Sequence, residues 1–246
     1  MTIDRPGDTR SGAPGGTGAG PEDPGSAPVP GPGGLSLWKA VVLGIACAFL
    51  GGALVWAWTR PDEPGAATVD VGFYQDMITH HEQAVQMALL ELDNGSDPTV
   101  RSFAEEILNF QSYEIGRMDQ SLRGWGYRRE QRPDVAMAWM GMPVPVATMP
   151  GLATDEQMAG LRDARGAEAD ALFLELMAEH HRGGIHMAEF ASRQADDPGV
   201  RTLSGWMAYN QTVEINEFIA AAGRAGLDVD IRPWEPAPPA PEPGTY

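Results

Sequence analysis

A chain of 246 residues has room for one or two domains, and its formal charge of −17 excludes a nucleic-acid binder, which needs a basic footprint. The single cysteine, Cys47, excludes an internal disulfide and any metal site built from several thiolates.

Residues 1–34 are rich in Gly, Pro, Ser and Thr and hold almost no large apolar side chains. They cannot bury a core and are expected to be disordered. Ala40–Trp58 follows as nineteen residues without a charge. A bilayer core of ~30 Å needs about twenty apolar helical residues. Lys39 and Arg60 bracket the run, and Trp38, Trp56 and Trp58 stand where interfacial aromatics belong. The residues after Leu54 make a poor small-x-small cleavage site. The stretch 38–59 therefore reads as an uncleaved transmembrane anchor, with residues 61–246 on the extracytoplasmic side and the bilayer as a partner.

After a short linker, the repeat begins. MITHHEQAVQMA at 77–88 is echoed one hundred residues later by MAEHHRGGIHMA at 177–188. The echo continues at the same offset: Asp97-Pro98, Val100-Arg101, Gln111, Glu114 and Ile115 recur as Asp197-Pro198, Val200-Arg201, Gln211, Glu214 and Ile215. All five histidines lie inside the two copies. A repeat of this kind sets the architecture.

Each copy reads as a helical hairpin. The first helix is expected over about 69–92 and stops at Asn94-Gly95. The second starts at Asp97-Pro98, an N-cap followed by proline in the first turn, and ends near Gly124. Residues 125–153 form a Met- and Pro-rich loop. Thr154 with Gln157 is a capping box opening a short helix. The last two long helices are expected over about 167–194 and from Pro198 to about 222, and the tail 232–246 is Pro-rich. The expected fold is all-α: residues 68–226 as a four-helix bundle of two hairpins, 68–124 and 154–226, behind one transmembrane helix.

Helical spacing then picks out polar residues on apolar stripes. His81 lies near the centre of the first stripe, with His80 on its flank beside Phe73 and Met87. Gln111 centres the second stripe and Glu114 is beside it. The second repeat places His181, Gln211 and Glu214 likewise. A buried carboxylate requires a partner or a metal. One reading is a hydrogen-bonded His–Glu–Gln cluster that ties the helices together and binds no metal. The other is a metal site of His80, His81, Met77, Met87, Gln111, Glu114 and Met118, with a counterpart of His180, His181, Met177, Met187, Gln211 and Glu214. Imidazole with thioether favours copper, as Cu(I) or Cu(II). Met137, Met140, Met142 and Met149, at exposed loop positions, are candidate accessory thioethers, although ordinary gap-filling is the better reading for any one of them. The Glu-x-x-His pattern of di-iron bundles is absent, with Ile78 and Ala178 at the positions it requires. No nucleophile–base pair, phosphate loop or cofactor fingerprint is visible, so no enzymatic activity is expected.

The paired unit of two histidines, Met-Ala and then Gln-x-x-Glu-Ile resembles the domain of unknown function 305 family over roughly residues 70–226. That resemblance implies a ferritin-like helical bundle, often behind a signal or anchor, with some members binding copper in the periplasm. It implies that His80, His81, Met87, Gln111 and Glu114, and their partners in the second copy, are the family's motif residues. Phe218 stands where the first copy has Met118, which makes the second half poorer in soft donors. His186, in place of Gln86, points ~140° from His181 on a helical wheel and is expected at the surface.

Overall fold

The computed structural model describes Gly34, residues 36–59 and residues 63–234. The rest of the expected disordered segment 1–34 and the tail beyond Trp234 lie outside the described residues. The chain divides into two compact units, Met1–Arg60 and Pro61–Tyr246. In the first, α1 (Leu37–Thr59) is long and apolar enough to cross a membrane.

The second unit is mostly helical. Its long helices are α2 (Val69–Asn94), α3 (Pro98–Gly124), α5 (Ala167–Gln194) and α6 (Pro198–Ala225), with the short α4 (Asp155–Asp163) before α5. Local signals set their ends. Thr68 caps α2, and Thr154 with Gln157 forms the capping box of α4. Asp97 Oδ1 accepts from Thr99 N (2.8 Å) and Val100 N (3.1 Å), and Asp197 Oδ1 from Gly199 N (2.6 Å) and Val200 N (3.2 Å). Pro98 and Pro198 follow those caps, where a missing N–H costs nothing.

The two hairpins are tied to each other by a reciprocal pair of carboxylates. Asp170 of α5 accepts from Ser96 N (2.8 Å), Ser96 Oγ (2.8 Å) and Asp97 N (3.1 Å), just ahead of α3. Asp70 of α2 accepts from Asp197 N (2.7 Å) and Asp196 N (3.3 Å), just ahead of α6. Both side chains are buried, and each faces the positive end of a helix dipole. Sequence reasoning missed this pair, although its members sit one hundred residues apart like the rest of the repeat.

Packing follows from the tie. α2 lies on α3, α5 on α6, and α2 against α5, whereas α3 and α6 touch only sparsely. The apolar core has two parts. One gathers Val71–Ile78 of α2 with Met118, Leu122, Met187, Ala191 and Val200. The other gathers Ala84–Ala88 of α2 with Ala104, Ile107, Phe173, Met177 and Phe218. The start of α2 thus meets the end of α5, so these two helices run antiparallel.

The connection between the hairpins is a strap built of 3-10 turns at Arg129–Gln131, Ala138–Met140 and Val146–Thr148 and a two-residue pairing of β1 (Val135–Ala136) with β2 (Val144–Pro145). Polar side chains of α2 hold it down. Asp76 Oδ2 accepts from Met137 N and Trp139 Nε1, both at 2.7 Å. Gln83 exchanges two bonds with the Ala153 backbone, at 2.8 and 2.7 Å. Arg132 donates to Thr79 and Glu82. The expectation of exposed loop methionines is corrected here: Met137 and Met149 are 1% and 2% exposed and belong to the core, and only Met142 stands out in solvent. Beyond α6 the chain folds back, with Asn216 bonded twice to the Trp234 backbone and Arg182 stacked over the Trp234 ring.

Candidate metal centre

Four histidines are sealed between the two core clusters: His80, His81 and His181 are 0% exposed and His180 is 1% exposed. Their rings come together because α2 and α5 cross at this level. The His80 and His180 ring centroids lie 3.7 Å apart, and those of His180 and His181 6.3 Å apart. His80 is therefore not on a flank, as the single-helix stripe suggested. The side of α2 that carries it is covered by α5 and the strap.

Each Nε2 atom faces an oxygen. His81 Nε2 is 2.8 Å from Glu114 Oε2, and His181 Nε2 is 2.6 Å from Glu214 Oε2, so each pair closes its own hairpin. His80 Nε2 is 3.2 Å from the Pro150 carbonyl, and His180 Nε2 is 2.9 Å from the His80 carbonyl. A carbonyl only accepts, so His80 and His180 carry their proton on Nε2 and keep a bare lone pair on Nδ1. The carboxylates of Glu114 and Glu214 accept in the same way. All four Nδ1 atoms are buried with no hydrogen-bond partner. Burial, reinforced by His81, lowers the His80 pKa to about 3, and burial beside the other three histidines holds His180 well below the usual imidazole range. His80 and His180 are therefore neutral at physiological pH.

That pattern fits a metal chemically. A ligating imidazole ordinarily donates its second N–H to a carboxylate or backbone carbonyl, which fixes the tautomer and leaves the other nitrogen for the ion. Four orphaned Nδ1 atoms are otherwise an expensive feature of a core. Among the described residues, however, no three His, Cys, Asp or Glu side chains gather closely enough to hold an ion by themselves. Any metal here must also draw on thioethers or amide oxygens.

The methionines are buried but divided differently from the repeat-by-repeat grouping. Met77 and Met118 share a cluster with Met187 of the other repeat, and Met87 shares one with Met177. The reason is length: ten helical residues span ~15 Å, so Met87 reaches the far end of α2 from Met77. Phe218 occupies the second copy's Met118 position and sits 5.5 Å, ring to ring, from His181. Gln111 and Gln211 are 4% exposed, each with an unpartnered Oε1. Met207, absent from the sequence-derived candidate set, lies 1% exposed in the first cluster. His186 is at the surface, away from the other four.

The strap closes one side of this cluster. The Pro150 carbonyl lies directly on Gly183, and a Cβ there would collide with it. The adjacent Gly184 gives the same close room to the Gln211 amide. Gly183→Ala gains the usual helix preference of about 0.5–1 kcal/mol but meets backbone that cannot swing aside, and overpacking costs typically 1–3 kcal/mol. The expected net result is destabilisation with a loosened strap, read as a lower melting temperature and faster proteolysis within 140–153. An unchanged melt and unchanged cleavage would contradict the close packing.

Comparison with known proteins agrees with the repeat. The family model described as domain of unknown function (DUF305) matches residues 70–222. A solved DUF305 protein from Streptomyces coelicolor is 34% identical, with a TM-score of 0.63, covering 68% of this chain and all of its own. A DUF305 fragment from Deinococcus radiodurans is 29% identical, with a TM-score of 0.55, covering 67% of this chain and 99% of its own. CopM in its Cu(I)-bound form is 24% identical, with a TM-score of 0.48, covering 63% of this chain and 96% of its own. No curated protein matches the chain. With more than half of its length matched by the family model, the chain is a member of the DUF305 family.

Proposed function

We propose that this chain is a membrane-anchored, extracytoplasmic copper-binding protein that buffers or delivers the metal or confers tolerance to it. The observation that carries the reading is the shared arrangement of the four buried histidines, each with Nε2 facing an oxygen and a buried Nδ1 without a partner. Buried thioethers alongside imidazole favour copper over harder metals, and Cu(I) above all. His81 and His181, oriented by Glu114 and Glu214, would be the principal nitrogen donors. His80 and His180, with Met77, Met87, Met118, Met177, Met187, Gln111 and Gln211, complete the candidate set. The ferritin-like four-helix bundle is supported by the two hairpins packed through α2 and α5, and the anchor at 38–59 by the length and apolarity of α1. Copper is cargo in this scheme, and no chemical step is assigned to the protein.

The test is copper content. The whole chain, purified in detergent without a histidine tag and loaded with Cu(I), should retain the metal through desalting, with X-ray absorption showing nitrogen and sulfur neighbours. His81→Ala with His181→Ala should lose most of it. A second reading has one observation in its favour, the absence of a three-residue His/Cys/Asp/Glu cluster among the described residues. It makes the histidines structural ties between helices, and it is the outcome if the wild-type chain retains no copper.

A further inference from the structure

α3 and α6 touch only sparsely, and a groove lies between them. It forms a cavity of about 260 Å³. Its lining includes four carboxylates, Glu106, Glu114, Glu214 and Glu217, and no basic side chain. Glu114 and Glu214 are the residues bonded to His81 and His181. Their side chains are 15% and 22% exposed while both histidines are 0% exposed. Each His–Glu pair is therefore exposed through its carboxylate, and both carboxylates line this groove.

The lining also holds donors that lack partners. Gln111 is 4% exposed and its Oε1 accepts no hydrogen bond. A buried acceptor left bare costs roughly 1–3 kcal/mol, a cost that a cation against it would relieve. Met207 adds a buried thioether to the same lining. Burial, and then Glu214 and Glu106, raise the Glu217 pKa, so these carboxylates feel one another's charge across the groove. On the α2–α5 side the strap seals the cluster, with Pro150 lying on Gly183 and bonded to His80.

We propose that the α3–α6 groove is the port through which a soft monovalent cation, Cu(I), reaches the buried histidines. Glu106 and Glu217 collect the ion at the mouth, and Glu114 and Glu214 pass it inward towards Gln111, Met207 and the imidazoles. The inference rests on the copper reading above. A cleft of one charge sign between low-dielectric walls raises the local cation concentration and the rate of association by tenfold or more, an effect that salt screens.

The experiment mixes the whole chain in detergent with Cu(I), supplied as its cationic acetonitrile complex. Loading is stopped at millisecond times with a chromogenic Cu(I) chelator that reports free metal. Glu106→Gln with Glu217→Gln removes two exposed carboxylates that touch no histidine. At low salt this variant should load about tenfold more slowly than wild type, with the difference shrinking at high salt and the equilibrium affinity moving less than about twofold. Glu130→Gln with Glu156→Gln removes the same charge outside the groove and should load at the wild-type rate. Unchanged loading of the groove variant, or equal slowing in both, overturns the port while leaving the copper reading in place. No binding by the wild-type chain overturns the copper reading itself.

Discussion

Glu91→Gln is expected to flatten the alkaline side of the protein's stability profile. Glu91 is fully buried near the end of α2, against Asp170. Asp170 is already committed to the α3 N-terminus through Ser96 and Asp97. Burial first, and then Asp170, push the Glu91 pKa from 4.5 up to about 9, against the opposing pull of Arg101, while Asp97 adds to the rise. Folded Glu91 thus keeps its proton, beside the Asp170 carboxylate, at pH values where the unfolded chain has lost it. Between about pH 5 and 9 the folded state binds more protons than the unfolded, so stability falls as pH rises, by up to ~1.4 kcal/mol per pH unit. Below that window the contribution is fully present. Glutamine keeps the shape but cannot ionise. The variant should melt like wild type near pH 5 and at least about 5 °C higher at pH 9, given a few degrees per kcal/mol for a domain of this size. Parallel melting curves across that range would show that Glu91 is not the buried acid described.

The hairpins were legible because their signals are local. The expected helix over 69–92 is Val69–Asn94, and the one expected over 167–194 is Ala167–Gln194. Asp-Pro caps and Asn-Gly stops act within one turn and need no tertiary knowledge. The His81–Glu114 and His181–Glu214 contacts follow from stripes on adjacent antiparallel helices. The His80–His180 stack does not, because it depends on how one repeat crosses the other, and a single helical wheel assigned His80 to a flank. The strap was illegible for a different reason. Its backbone has no period, and its anchors Asp76 and Gln83 look like solvent-facing polar residues until the loop is laid over them. One sign was present in the sequence: Gly183-Gly184 inside a long helix, where two glycines are costly unless something approaches closely. The packing of the methionines was not legible, because the repeat invites pairing within a copy, whereas antiparallel packing sets the early methionine of one copy in a cluster with the late methionine of the other.

That exchange sharpens the expected inequality between the two halves. Met77, Met118 and Met187 lie in one cluster, and Met87 and Met177 in the other, where Phe218 replaces the third thioether beside His181. If the proposed copper reading holds, wild-type protein should show two affinities for Cu(I), the tighter one depending on Met118, since soft ligands favour Cu(I). Met118→Leu conserves volume and costs the fold less than about 1.5 kcal/mol, so any larger effect on copper reflects the lost sulfur. It should weaken the tighter affinity by at least about tenfold, the smaller end of what disturbing a metal's surroundings costs. Phe218→Met works in the opposite direction. It gives up ring contacts with Phe103 and His181, worth about 0.5–1.5 kcal/mol of stability each, but supplies the missing thioether, and the weaker affinity should rise towards the tighter. Competition titration against a chromogenic Cu(I) chelator reads both. Loss of stability with gain of affinity in the same variant cannot come from general loosening, which would lower both. Two wild-type sites of equal affinity, unmoved by either substitution, would remove Met118 and its counterpart from coordination and leave the imidazoles to hold the metal without them.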